Sequence, residues 1–555
     1  MKRTTVITLL LLITFLGLLL RFYKLGKVPT SMNADEAAIG YNAYSILKTG
    51  KDEYGRSFPL LFQSFDDYKL PLYVYITVPS VAVFGLNDFS VRLPSAVLGT
   101  ATVFAAFFLV NLLLSSYEVA LISCFLLAIS PWHLQFSRSA YEANSAVFFL
   151  VAGMVFLLKG IRQKKWYIPG FLLLALSIWS YHSSRIFIPL IVGSFSVLYL
   201  QEVRKSKLYF SLGLALFVIV CMPLLLLSVS PQGLVRARGV SALDNDELIN
   251  RNVSWRQLDV EDKIPFSNIY HNQRLVNLSV ILKGYLEHYN PNFFFSEIVQ
   301  GKYHAPGVGL LYLWELPFLL YGLHAMANRK GKGKYVLFMW FILAPVAASP
   351  TRNLPHPVRT LIFLPVIEVF VGAGLWEFYT RLNSIKKVYR QVLIGAGLTV
   401  VAVSGLYYIH QYYVHGPVDY ASDWQYGNEE VVRTVKIMQD KFDKVIVSTS
   451  LDVPYMFFLY YLRYDPATYL SYGGTRSGKF DEQKNAFDKY EFHSYMGTEK
   501  KINSRTLYVG TVKDVLPGTE KLVEIKDPSG KPTYAIYGAV SKGEWNRAGN
   551  APYLN

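Results

Sequence analysis

The chain is poor in cysteine. Its 555 residues hold two, Cys124 and Cys221, each inside an apolar run, and such a pair does not make a disulfide framework. Charge is also scarce. Only 17% of residues are charged, against about 25% in ordinary soluble domains. No P-loop or Rossmann glycine pattern occurs, so no nucleotide fold is signalled. No repeat of fixed period, low-complexity tract or nucleic-acid motif is present. The net charge of +16 is therefore read as basic cytoplasmic loops in contact with anionic lipid. Apolar material dominates instead: 52% hydrophobic and 15% aromatic residues, with a mean hydropathy of +0.26. The expected class is a polytopic α-helical membrane protein.

The first apolar run, 4–22, follows Lys2-Arg3 and leads into Arg21-Phe22-Tyr23-Lys24. No small-residue cleavage site follows it, so it is expected to be an uncleaved span with its N-terminus in the cytoplasm. Further runs lie at 92–114, 118–136, 144–158, 166–181, 186–201, 208–228, 307–327, 335–348, 358–379 and 391–411. Four connections, 159–165, 204–207, 329–334 and 381–390, are strongly basic, and the positive-inside rule assigns all four to the cytoplasm. The run 70–86 decides the parity. If it crossed, all four basic loops would face outward. It is short and carries Pro71 and Pro79, so it is expected to lie in the outer interface. That leaves about 11 spans, with long outer loops at 23–91 and 229–306.

The tail, 412–555, has a different texture, with charges, turns and short strand-like runs. Helical spacing appears over 429–442 and 452–461. Strands are predicted at 444–448, 506–511, 522–526 and 533–540. The expected architecture is a transmembrane catalytic domain, 1–411, followed by a small extracytoplasmic α/β domain, 412–555.

The outer face collects the polar residues that need explaining. Asn33-Ala34-Asp35-Glu36 reads as a helix N-cap followed by two first-turn acids. The helix runs to Lys48, and Gly50 lies past its end. An ionised carboxylate fixed there is also placed to take a proton from an acceptor hydroxyl. In Asp66-Asp67-Tyr68-Lys69-Leu70-Pro71, Lys69 is either a snorkelling lysine or a cation for a lipid phosphate. The segment 131–144 contains Trp132, a candidate for the interfacial aromatic belt, together with Arg138 and Glu142. Glu142 opens a span, where the helix dipole favours an acid and where an acid near hydrocarbon also marks function. His182 and Arg185, then Arg352, His356 and Arg359, stand at outer span ends. Arg359 lies beside an apolar run and calls for an anionic partner, a carboxylate or a substrate phosphate. His288 belongs to an aromatic-rich stretch, 284–295, suited to packing or to sugar stacking. The histidines lack metal-ligand spacing, and no metal or cofactor is expected.

With these motifs in order, the membrane part, about 1–410, resembles the GT-C glycosyltransferases of the family 39 type, the protein O-mannosyltransferase and lipid A aminoarabinose transferase relatives. The residues that carry the resemblance are Asp35-Glu36, Tyr68-Lys69-Leu70-Pro71, Val91-Arg92-Leu93-Pro94-Ser95-Ala96 and the 137–144 segment. It implies an inverting transfer of a sugar from a polyprenyl-phosphate donor to an acceptor on the outer face of the cell membrane. On that footing Asp35, with Glu36 and Glu142, forms the catalytic set, and Asp35 is the base. Glu142 stands where the family usually carries Asp. Lys69, Arg359 and Arg138 are candidates for the donor phosphate. Tyr68, His182, Arg185, Arg352, His356 and His288 are candidate substrate contacts. Tyr68 stands where the aminoarabinose enzymes tend to carry an acid, which argues against a metal there. The expected partners are a polyprenyl-phosphate sugar, the bilayer, and an acceptor glycan, lipid or protein, without nucleic acid. The alternative readings are a transporter or flippase of lipid-linked sugars and a non-catalytic envelope assembly protein. A transporter would place its ionisable groups mid-span, whereas here they crowd at one face.

Overall fold

The structure is a computed structural model. It describes the chain except for residues 66, 232, 234–238, 244–245, 297–299, 479–480, 495–504, 515–518 and 539–555. Two compact units make up the chain. The first comprises Met1–Tyr23, Ser95–Ser137 and Tyr141–Gln411; the second comprises Lys24–Pro94, Arg138–Ala140 and Tyr412–Asn555. The chain re-enters the second unit at Tyr412. Residues 24–94, which hold the first long loop, cluster in the same unit as the tail.

The first unit is helical. Its early elements are α1 (Arg3–Phe22) and, after the first long loop with its helices α2 (Ala34–Thr49) and α3 (Leu72–Phe84), α4 (Asp88–Leu114), α5 (Tyr117–Ile129), α6 (Pro131–Ser137) and α7 (Glu142–Gly160). Six of the described helices are long and apolar enough to cross a membrane, or seven if the bent pair α5–α6 is one span. The other apolar runs form shorter helices, such as Ser184–Leu198 and Gly333–Leu343, so helix length does not carry the expected count of eleven. The run at 307–327 becomes helical only from Glu315. Pro306, Gly307 (φ +69°) and Gly309 keep its first residues irregular.

The α5–α6 pair is bent by 57°, and the cause is local. Pro131 has no N–H to return to the Leu127 carbonyl. The N–H of Trp132 turns away from Ala128 and donates to Leu310 O at 2.9 Å. Arg21, fully buried at the end of α1, replaces both donors. Its Nη2 donates to Leu127 O at 3.3 Å and its Nη1 to Ala128 O at 3.1 Å. His133 Nδ1 accepts from the same guanidinium at 2.8 Å. A buried arginine here satisfies the carbonyls that a broken helix would leave orphaned.

The second unit joins two distant stretches of sequence in one core. Ala37, Tyr41 and Val91 pack with Val431, Tyr455 and Phe458. The first loop supplies α2, α3 and the hairpin β1 (Phe62–Ser64) and β2 (Asp67–Lys69). At 13 residues α3 rises about 20 Å, short of the about 30 Å hydrocarbon core. The tail supplies a five-stranded sheet of order β4-β3-β5-β7-β6. These strands are β3 (Lys444–Val447), β4 (Tyr490–Phe492), β5 (Thr506–Thr511), β6 (Glu520–Lys526) and β7 (Pro532–Gly538). β3 runs parallel to β4 and β5, and β7 runs antiparallel to β5 and β6. The strands predicted at 444–448, 506–511 and 522–526 are present. The one predicted at 533–540 is β7, and its last two positions lie outside the described residues. Helices Asn428–Met438 and Pro454–Leu462 match the two predicted there.

Candidate active site

The N-terminus of α2 organises the second unit's polar residues. Asn33 is extended, and its side-chain oxygen accepts from the Glu36 N–H at 3.0 Å. Gln425 accepts from the Ala34 N–H at 2.7 Å. Gly50, at φ +70°, closes the far end. With both ends satisfied, the first turn holds its two acids on different faces, because successive residues on a helix are about 100° apart.

Asp35 points out. Its side chain is 62% exposed, and Oδ1 lies 2.7 Å from Lys69 Nζ, whose own side chain is 11% exposed. Lys69 is the last residue of β2, paired with Phe62 across the hairpin. The hairpin therefore fixes the ammonium against the helix's first turn. The strand also holds Tyr68, opposite Gln63. The preceding Asp66 lies outside the described residues.

Glu36 points in, and this corrects its placement in the catalytic set. It is buried, and Arg92 donates to both its oxygens, from Nε to Oε1 at 3.1 Å and from Nη2 to Oε2 at 2.9 Å. The N–H of Ala140 adds a third donor to Oε1 at 2.8 Å. Arg92 also donates to the carbonyls of Pro29 at 2.9 Å and Ser31 at 2.6 Å. Glu36 is thus a buried anion that ties α2, α4 and the 25–31 loop together. Arg92 was not among the site candidates. Its place just inside an apolar span was the available signal, since such a guanidinium needs an anion.

Arg138 is likewise corrected as a phosphate ligand. It is buried, donates from Nε to Tyr412 Oη at 3.1 Å and from Nη2 to Val28 O at 3.0 Å, and lies about 5 Å from the rings of Tyr412 and Tyr413. A guanidinium desolvated in this way must be matched by acceptors from the protein itself.

The remaining candidates belong to the first unit. Glu142 is the first residue of α7, where the helix dipole favours it. His182 sits in the turn before Ser184–Leu198, its ring 6.3 Å from Tyr181. Arg185 donates to Ser228 Oγ at 3.0 Å. Arg359 donates to Thr351 Oγ1 at 2.7 Å and Arg352 O at 2.6 Å, and exposed Arg352 donates to Ser241 O at 2.7 Å. His288 and His356 meet, with the His356 N–H donating to His288 Nε2 at 3.3 Å while His288 Nδ1 donates to Gly284 O at 2.7 Å. Burial, then nearby Arg359, pulls His288 down to about 4. Burial, then Arg359 and Lys302, pulls His356 down to about 3. Both rings are neutral at pH 7 and leave this cluster's positive charge to the arginines and the lysine.

A buried acid was missed. Glu53, in the loop after α2, accepts from Asn42 Nδ2 at 3.0 Å and Thr475 Oγ1 at 2.8 Å. Burial raises it to about 7 against those hydrogen bonds. Its partners lie 11 and 422 residues away in sequence, so no local pattern marks it.

The chain is similar to ArnT from Cupriavidus metallidurans in the apo state, with a TM-score of 0.55 and 11% identity over 95% of this chain and 98% of that one. It is similar to the same protein bound to undecaprenyl phosphate, with a TM-score of 0.53 and 12% identity over 96% and 97%. The archaeal oligosaccharyltransferase AglB from Archaeoglobus fulgidus, in complex with an inhibitory peptide and a dolichol-phosphate, gives a TM-score of 0.52 and 12% identity over 96% and 74%. The chain shares the fold of these two proteins. Within it, residues 69–226 match the family model described as Dolichyl-phosphate-mannose-protein mannosyltransferase. No curated protein sequence matches the chain.

Proposed function

We propose that the protein is an inverting glycosyltransferase that moves a sugar from a polyprenyl-phosphate donor to an acceptor hydroxyl at the outer face of the cell membrane. The observation that carries this reading is the pairing of exposed Asp35 with Lys69 at 2.7 Å. The family model matched from residue 69 and the undecaprenyl phosphate held by the similar ArnT structure support it.

The chemistry asks little of the protein. The acceptor oxygen attacks the anomeric carbon from the face opposite the phosphate. The new C–O bond forms as the bond to the phosphate oxygen breaks, which inverts the centre. The acceptor's proton passes to the Asp35 carboxylate, and the leaving polyprenyl phosphate carries away the electron pair. Asp35 is the general base. Lys69 holds the donor phosphate and stabilises the charge that grows on it. Arg359, with Arg352 beside it, and Glu142 are the candidate cation and acid of the first unit. A sugar phosphate ester is already activated, so no metal is required. In this reading the N-terminus is cytoplasmic and the tail extracytoplasmic.

The test is to incubate purified protein with a panel of polyprenyl-phosphate sugars and follow loss of sugar from each. One donor is expected to be consumed in an acceptor-dependent way, and chelator is expected to have little effect. A strict divalent-ion requirement, or no consumption of any donor, contradicts the reading.

A further inference from the structure

The second unit contains a pocket of about 260 Å³ that neither Asp35 nor Lys69 lines. It lies between Asn87 and the first residue of α4 (Asp88), helix Asn428–Met438 (Glu429, Arg433) and the end of helix Pro454–Leu462 (Tyr460, Tyr461) with its C-cap Arg463, and Gly26, Leu86 and Phe89 complete the wall. It is small beside the about 300–1,000 Å³ of typical ligand sites, so it holds a ring-sized group and not a chain.

The lining defines the ligand's chemistry. Two carboxylates face two guanidiniums, so the formal charge sums to zero. A phosphate would meet Asp88 and Glu429, and an ammonium would meet Arg433 and Arg463, each at the cost of like-charge repulsion. What suits such a wall is a neutral molecule whose groups both donate and accept. The protein leaves capacity for it. Asp88 Oδ1 accepts from Tyr460 Oη at 3.1 Å, and among the described residues its other oxygen has no partner. Arg433 shares one nitrogen with Glu429 at 2.5 Å and keeps others free. Arg463 is exposed, and its guanidinium has no partner among the described residues. Tyr460 and Tyr461 add aromatic surface, with ring centroids 5.0 Å apart.

Arg463 adds a second observation. It ends its helix at φ +51°, in the left-handed region that favours glycine and that other side chains rarely adopt. Glycine would make this cap more easily, so the side chain is what arginine contributes there.

We propose that this pocket binds one unit of a neutral saccharide. It is joined to the proposed active site through α2. A Cβ at Gly40 of that helix would lie 2.7 Å from Tyr460 Cε2 and 3.3 Å from Leu86 Cδ1, so both pocket-lining side chains rest on the helix that carries Asp35. If the transfer reading holds, the bound saccharide is the acceptor glycan, but binding is read without turnover.

The experiment is a binding titration of full-length protein in detergent with neutral methyl hexosides and disaccharides, by saturation-transfer NMR. Glycerol phosphate and choline serve as charged comparators. Wild-type protein is expected to bind at least one neutral saccharide saturably and neither comparator at this pocket. Arg463→Gly, which relieves its backbone, and Asp88→Asn, which keeps an acceptor for Tyr460, are each expected to weaken that binding tenfold or more. Binding of polyprenyl phosphate, measured in parallel, is expected to stay unchanged in both variants. Saturable binding by no saccharide overturns the proposal, as does binding that both variants retain, or tighter binding of glycerol phosphate that Arg463→Gly abolishes. Failure of wild-type protein to bind polyprenyl phosphate would instead count against the transfer reading and leave the saccharide result to stand by itself.

Discussion

Asp35 and Glu36 are adjacent on one helical turn and opposite in environment. The first is 62% exposed against Lys69, and the second 2% exposed against Arg92. The buried pair sets the frame in which the exposed pair is presented. Arg92 grips both oxygens of Glu36 and the 25–31 loop, and Asn33 caps the turn. The orientation of Asp35 follows from groups that do no chemistry themselves.

Removing one member of that buried pair leaves the other charged and unmatched, a loss of about 3–5 kcal/mol. Glu36→Gln and Arg92→Met are each expected to lower the thermal midpoint in detergent clearly, whereas Asp35→Asn leaves it near wild type. Midpoints that fall equally for Asp35→Asn would contradict the division of roles.

Arg21 gives a second stability test, in the membrane unit. Arg21→Met leaves the Leu127 and Ala128 carbonyls without their side-chain donor, and an unsatisfied buried group costs about 1–3 kcal/mol. Arg21→Lys is not expected to restore the loss, because one ammonium on a flexible stem cannot reproduce the fork that reaches both carbonyls and His133. Thermal unfolding of the two variants decides it.

Glu53 makes stability depend on pH. Its folded value of about 7 lies above its ordinary 4.5. Between those values the folded protein holds a proton that the unfolded chain has lost, so stability falls as pH rises from about 4.5 to about 7 and is level beyond. The drop is on the order of 3 kcal/mol. Glu53→Gln is expected to flatten the profile and to exceed wild type in stability at pH 8. An unchanged slope in midpoint against pH would remove Glu53 as its source.

What was legible in the sequence was chemistry carried by near neighbours. Asn33 and Gly50 bracket α2 as expected, because caps are made within a few residues. β5 falls on the predicted 506–511, because an apolar β-rich run reports itself. The hairpin of β1 and β2 was not expected, since three-residue strands are too short to show alternation. The partition of the chain was hidden for a different reason. Tyr41 and Tyr469 share a core across more than 400 positions, and no local pattern records that. The same distance hid the role of Arg92. Glu36 was grouped with Asp35 because sequence adjacency resembles shared function until the helix turns one residue inward.

Lys69 tests the phosphate assignment. A charge-assisted hydrogen bond contributes about 1.5–3 kcal/mol. Lys69→Ala is therefore expected to weaken binding of polyprenyl phosphate by about 10–100-fold, with Lys69→Arg recovering part of it. Titration of the purified variants with polyprenyl phosphate measures this, and unchanged affinity would place the phosphate elsewhere.

The central claim rests on one carboxylate. The most direct measurement is the rate of sugar transfer by Asp35→Asn under saturating lipid-linked donor, alongside its affinity for polyprenyl phosphate. Transfer is expected to fall by at least 100-fold while the variant still folds and still binds the lipid phosphate. Transfer at the wild-type rate by a folded Asp35→Asn protein would contradict it.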